Sequence, residues 1–192
     1  MLLVAAFLAG GIPFAYLAVR LVYQTDVREH GSGNAGATNA ARMFPKRWQL
    51  IAFLVIFLLD AGKGYAAAGL LPRLWDLPEY APALAAAFAV FGHTFSPVLR
   101  FRGGKGMATT LGALLALEPL ATGVGILAFF LIYLPTRIVA AGSITAAVVL
   151  PLAVFVHGTA PLAVRLLAIL LSALIIVRHR SNISKMLRGK ET

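Results

Sequence analysis

Apolar residues along this chain come in long unbroken runs, and the polar residues are gathered between them. Seven runs stand out: Met1–Val19, Trp48–Leu71, Ala81–Leu99, Met107–Leu117, Leu120–Pro135, Ile138–Val156 and Pro161–Val177. A helix that crosses a bilayer needs about 20 apolar residues, with a range of ~17–25, and five of the seven meet that length. Met107–Leu117 is short and Leu120–Pro135 slightly so, and Glu118-Pro119 between them has the character of a tight turn at a membrane surface. Either the short run borrows Gly104 to Gly106 and all seven cross, or the pair is a re-entrant hairpin and five cross. The pattern favours seven and predicts an all-α polytopic membrane protein, with residues 1–192 as a single domain. The first run has no basic flank and no clear cleavage site, so it reads as a retained span rather than a signal peptide.

Composition agrees with the pattern. The chain is 60% hydrophobic and 12% charged, with a mean hydropathy of +0.86, whereas soluble domains carry about 25% charged residues. The absence of cysteine excludes disulfides, thiolate metal sites and a cysteine nucleophile. A net charge of +10 raises nucleic acid as a partner, but nucleic-acid binders carry basic patches on polar domains, and here the basic residues sit between apolar runs. That distribution reads as topology. With the first residue outside and seven crossings, all of the seventeen basic residues except Arg73, Arg165 and the intraspan Lys63 fall on the cytoplasmic side. The C-terminus is then cytoplasmic. Trp48, Tyr23 and Tyr133 sit near the inner interface, and Trp75 and Tyr80 near the outer one, where Asp76 also falls.

The same threading puts every polar-rich stretch on one face. Residues 31–42 read GSGNAGATNAAR, residues 92–109 GHTFSPVLRFRGGKGMAT, and residues 178–183 RHRSNI, with a TRIVAAGS turn between. Gly31-Ser32-Gly33-Asn34-Ala35-Gly36 has the G-x-G-x-x-G spacing but not the strand before it that a dinucleotide site needs. Its glycines still let backbone N–H groups form an anion nest. Ser32, Asn34, Thr38 and Asn39 add side-chain hydrogen bonds, and Arg42 adds a planar charged fork suited to phosphate. The plainer alternative is a flexible loop with a basic end.

The second stretch is more specific. Gly103, Gly104, Lys105 and Gly106 lead into an apolar run that can begin a helix, and a glycine turn with a lysine at a helix N-terminus is an anion site. It is not a Walker loop, because Gly106 follows Lys105 where serine or threonine would be needed. His93 is either a structural hydrogen-bonding histidine or part of the site. In the last stretch His179 and Asn182 are three apart and share a face of a continuing helix. A basic flank explains Arg178 and Arg180, but not that pair. Asp60 and Lys63, at i and i+3 inside a span, are either an ion pair locking a helix or a means for Lys63 to reach the polar face. A lone charge there costs about 2.5–3.5 kcal/mol.

Together these motifs resemble the acyl-phosphate:glycerol-3-phosphate acyltransferases, the PlsY family of bacterial membrane enzymes. That family carries G-S-G-N-x-G-x-T-N-x-x-R, then G-H…F-x-G-G-K-G-x-A-T, V-S-L-x-S-I and R-H-x-x-N-I. Residues 31–42, 92–109, 139–144 (VAAGSI) and 178–183 match these in order, and Asp60-Ala-Gly-Lys63-Gly64 is similar to the family's D-x-x-K-G. One departure is clear: the first serine of the third motif is Ala140 here, while Ser143 keeps the second.

The resemblance implies seven spans with the motifs facing the cytoplasm of a bacterial inner membrane. It implies transfer of a fatty acyl group from acyl phosphate to the 1-hydroxyl of glycerol 3-phosphate, giving lysophosphatidic acid and phosphate. This is the first acylation of bacterial phospholipid synthesis, without cofactor or metal and with no obligate protein partner. Lys105, His179 and Ser32 are the expected catalytic residues. Arg42, His179 and Asn182 are expected to position glycerol 3-phosphate. Gly31, Gly33, Asn34, Thr38, Asn39, His93, Gly103, Gly104, Gly106 and Ser143 complete the expected substrate-binding set. The chemistry suits the residues: both substrates carry phosphate, two basic glycine loops are present, and a mixed anhydride needs no protein nucleophile. The base is left open between His179, whose ordinary pKa is near 6.5, and a phosphate oxygen of the substrate. A membrane anion transporter predicts polar groups at the midplane in inverted repeats, which the sequence lacks. A CDP-alcohol type phosphotransferase needs clustered aspartates, and the cytoplasmic loops offer only Asp26 and Glu29.

Overall fold

The computed structural model describes residues 1–74 and 77–191, so Trp75 and Asp76, expected near the outer interface, lie outside the described residues. Among these residues every regular element is helical. The first apolar run is two helices, α1 (Leu2–Gly10) and α2 (Phe14–Tyr23). They separate at Gly11-Ile12-Pro13, because proline has no N–H to continue a helical ladder. A one-turn α3 (Ala37–Ala41) follows the first glycine loop. α4 (Lys46–Tyr65) continues through a π turn, Ala66–Leu70, and a 3-10 turn, Leu71–Leu74. Then come α5 (Ala81–Thr94), α6 (Met107–Leu117), α7 (Pro119–Thr136), α8 (Val139–His157) and α9 (Leu162–Arg178). The last helix, α10 (Arg180–Leu187), bends away from α9 by 55°.

Five helical stretches are long and apolar enough to cross a membrane, or six if the bent α9–α10 pair counts as one. α6 is the short one. Its 11 residues reach only about 16 Å, against a hydrocarbon core of about 30 Å. Its two ends make different contacts. Gly106 at its start packs by Val90 and Thr94 near the end of α5, and Glu118 just after its end lies 3.2 Å from His157, which closes α8.

The packing is that of a membrane bundle. Alanines such as Ala85, Ala86, Ala89, Ala113 and Ala146 are fully buried, while Leu50, Leu54 and Leu58 of α4 and Leu127 and Leu131 of α7 face outward. Where lipid is the solvent, helices associate through close packing of small residues rather than by hiding large ones. α4 and α6 cross so closely that a Cβ on Gly64 would strike the Thr109 carbonyl, and one on Gly112 the Ala61 carbonyl. Gly10 and Gly92 serve the α1–α5 contact in the same way. The chain therefore collects its long polar loops, residues 24–36 and 95–106, at the same end of the bundle as the close of α9.

Candidate active site

The first loop is organised from within. Asp26 caps a 3-10 turn, Val27–Glu29, by accepting the Arg28 N–H at 2.9 Å. It also pairs with the Arg28 guanidinium at 2.6 Å, a hydrogen bond that holds its carboxyl below the usual carboxylate range. Asn39, projecting from α3, fills the loop. Its Oδ1 accepts the Ser32 N–H at 2.9 Å, and its Nδ2 lies 3.0, 3.0 and 3.1 Å from the carbonyls of Val27, His30 and Asn34. Gly31 has φ +56°, and a Cβ there would strike Asn39 Oδ1. The position therefore needs glycine for both conformation and space.

The second loop leans on the first and on the bundle. Arg28 Nη1 donates to the Leu99 carbonyl at 2.8 Å, so the two loops are stapled together. Ser96 Oγ donates to the Gly11 carbonyl at 2.5 Å, capping the break between α1 and α2. Arg100 and Phe101 are both left-handed, at φ 52° and 62°, a conformation bulky residues rarely adopt. Such strain persists only where surrounding contacts enforce it. The Gly103 and Gly104 N–H groups donate to Thr94 and His93 carbonyls at 3.1 and 3.2 Å. Arg178 Nη2 donates to the Gly103 and Gly104 carbonyls at 3.1 and 3.2 Å. Gly106, at φ +86°, turns the chain into α6, whose positive dipole end then faces the loop.

The third segment supplies the opposite wall. His179 sits at the bend between α9 and α10, buried, with Nδ1 2.8 Å from the Ile175 carbonyl. A carbonyl oxygen only accepts, so Nδ1 carries the proton and Nε2 keeps its lone pair. Asn182 accepts from Lys105 Nζ at 2.5 Å and donates to Glu191. Residues 77 positions apart are thus joined across a cavity of about 760 Å³.

Of the residues expected from sequence, Ser32, Gly33, Asn34, Gly103, Lys105 and Asn182 line that cavity. Gly31, Thr38, Asn39, Arg42, His93, Gly104, Gly106, Ser143 and His179 stand outside its wall. Asn39 is spent on holding the loop. His93 is buried beneath Gly104 with Nδ1 3.4 Å from Asp60 Oδ1. Ser143 is buried in α8, one turn from its start. Arg42 is exposed, yet its charge acts on Lys105. Lys63 does not reach the cavity: its Nζ pairs with Asp60 at 2.7 Å and donates to the Ile12 carbonyl at 2.8 Å.

The lining is strongly basic, with Arg28, Arg100, Arg102, Lys105, Arg178, Arg180 and Lys185 against Asp26 and Glu29. Burial pulls the Lys105 ammonium down to about 8, with the nearby Glu191 carboxylate opposing that shift. Burial also takes His179 down to about 4, helped by the charge of Lys105. At neutral pH the site therefore presents a protonated lysine beside a neutral imidazole.

Residues 1–189 match the family described as glycerol-3-phosphate acyltransferase. The chain belongs to that family. It is an acyltransferase enzyme of phospholipid synthesis, embedded in a membrane. A glycerol-3-phosphate acyltransferase of Anaeromyxobacter sp. (strain Fw109-5) is 43% identical over 99% of this chain and 93% of the relative. One from Aquifex aeolicus (strain VF5) is 36% identical over 99% and 96%. The crystal structure of PlsY, an integral membrane glycerol 3-phosphate acyltransferase, in its glycerol 3-phosphate form superimposes with a TM-score of 0.90. It is 36% identical, covering 100% of this chain and 92% of that one. Its lysophosphatidic acid form gives 0.86 at 34% identity, with the same coverage.

Several residues of the candidate site escaped sequence reasoning. Arg178 looked like a membrane flank, but it grips the glycine loop. Asp26 read as an isolated loop carboxylate and Arg28 as one of the cytoplasmic basic residues, but together they staple one loop to the other. Glu191 carried no signal, being the penultimate residue of a basic tail.

Proposed function

We propose that the acyl donor is an acyl phosphate and the acceptor the 1-hydroxyl of glycerol 3-phosphate, both held in the one cavity and released as lysophosphatidic acid and phosphate. The observation that carries this reading is the hydrogen bond from Lys105 to Asn182. It brings a glycine loop at a helix N-terminus and the His179–Asn182 segment to one point, as two neighbouring phosphates require. Lys105 and the N–H groups of the first turn of α6 hold the donor phosphate and stabilise charge that develops as it leaves. Asn182 positions glycerol 3-phosphate from the cavity wall, Arg42 and His179 contribute from behind that wall, and Ser32, Gly33 and Asn34 form the polar wall opposite. Thr38, Asn39, Gly31 and Gly106 act by shaping the loops, and Ser143 by packing α8.

The hydroxyl oxygen attacks the acyl carbonyl, the bond from acyl carbon to phosphate oxygen breaks, and no covalent enzyme intermediate forms. A histidine at about 4 is a weak base at neutral pH. The departing phosphate therefore takes the hydroxyl proton. Residues 1–192 act as one domain crossing the inner membrane seven times. α6 crosses because its loop is recessed, and the basic end of the bundle faces the cytoplasm. Purified protein given palmitoyl phosphate and glycerol 3-phosphate should form lysophosphatidate, and palmitoyl-CoA should not replace the donor. Product from the thioester alone would refute this donor.

A further inference from the structure

The glycine loop rests on a buried polar chain. Asp60, Lys63 and His93 are 2%, 8% and 7% exposed, on two different helices. Lys63 Nζ donates to the Ile12 carbonyl, which the break before Pro13 leaves without a helical partner, and pairs with Asp60 at 2.7 Å. Asp60 then faces His93 Nδ1 at 3.4 Å. The other ring nitrogen, Nε2, lies against Gly104, where a Cβ would collide with it. The carbonyl of the same histidine accepts the Gly104 N–H at 3.2 Å. Ring and backbone of His93 therefore both bear on the residue before Lys105.

An ion pair that only locked a helix would need just Asp60 and Lys63, which meet at 2.7 Å on α4, yet Asp60 Oδ1 is left without a hydrogen-bond partner there. The third member lies on another helix and touches the loop. Asp60 is also fourteen residues into α4, about 21 Å along its axis. The loop is thus seated deep in the bundle, where the short α6 starts.

We propose that Asp60 and His93 are positioning residues: fastened through Lys63 to the α1–α2 break, they set the seat of Gly104 and so the reach of Lys105 into the cavity. This rests on the role given above to Lys105. Misplacing a catalytic group by about 1 Å costs on the order of 10²-fold in rate. His93→Ala, which leaves the Asp60–Lys63 pair intact, should lower kcat roughly 10–100-fold while the KM for glycerol 3-phosphate moves less than about threefold. Asp60→Asn should do the same. Gly104→Ala should also lower kcat, and because it acts on the same contact, His93→Ala/Gly104→Ala should be no slower than the worse single variant.

The test is steady-state kinetics on detergent-purified variants whose thermal midpoints are recorded alongside. A wild-type kcat in folded His93→Ala, or losses that multiply in the double variant, would overturn the proposal. If His93→Ala does not fold, His93→Asn with and without Gly104→Ala reads the same coupling. Lys105→Ala is assayed in parallel: wild-type turnover there would refute the site itself, whereas a dead Lys105→Ala beside an active His93→Ala refutes only the seat.

Discussion

At pH 7 Lys105 keeps its proton with about one pH unit to spare, since burial brings the ammonium down to about 8. Raising the pH through that value removes the charge that holds the donor phosphate, so kcat/KM for the acyl donor should fall on an alkaline limb near pH 8. Arginine stays protonated throughout this range. Lys105→Arg, whatever its absolute rate, should lose that limb, and a pH profile of the two forms between 6 and 10 checks it. His179 should contribute no limb between pH 6 and 8, because at about 4 it is already neutral there. Residue identity also settles the place of Asn39. Four loop backbone groups converge on its amide, which makes it an organiser of the peptide that presents Ser32.

At the scale of elements, the α4–α6 contact determines where the glycine loop ends. Gly112 faces the Ala61 backbone, so any side chain there must push the helices apart. Overpacking a well-packed contact costs about 1–3 kcal/mol. Gly123 on α7 meets nothing within 4 Å of an added Cβ, and Gly to Ala in an open helix position gains up to about 1 kcal/mol. Gly112→Ala should therefore lower the thermal midpoint in detergent and Gly123→Ala should leave it level or raise it. Equal midpoints for the two would show that the α4–α6 approach does not matter. Hydropathy could mark both helices as apolar, but not which glycine met a neighbour. The break at Gly11–Pro13 lay inside what read as one run, because hydropathy averages over it.

For the molecule as a whole, the proposed orientation rests on the distribution of basic residues between the two ends of the bundle. The chain has no cysteine, so single introduced cysteines report cleanly. Arg188→Cys, beyond the cavity end, should react with an impermeant maleimide only in inverted vesicles. Thr159→Cys, in the turn beside His157 at the other end, should react only in right-side-out ones. The opposite pattern would reverse the orientation. The cavity itself draws on three distant segments, with Ser32, Lys105 and Asn182 on one wall system.

Sequence alone determined the all-helical membrane class, the family, and the loops that frame the cavity. Each is written locally, in runs of apolar residues or in short motifs whose glycines and basic groups have few other uses. Tertiary structure decided what each polar side chain faces. Asn182 meets Lys105, Arg178 holds Gly103, and His93 turns to Asp60 and Gly104, because helix crossings set by small residues bring those atoms within a few ångströms. No spacing along the chain encodes such a meeting: Lys105 and Asn182 are 77 residues apart, and only the packing of the helices between them makes them neighbours.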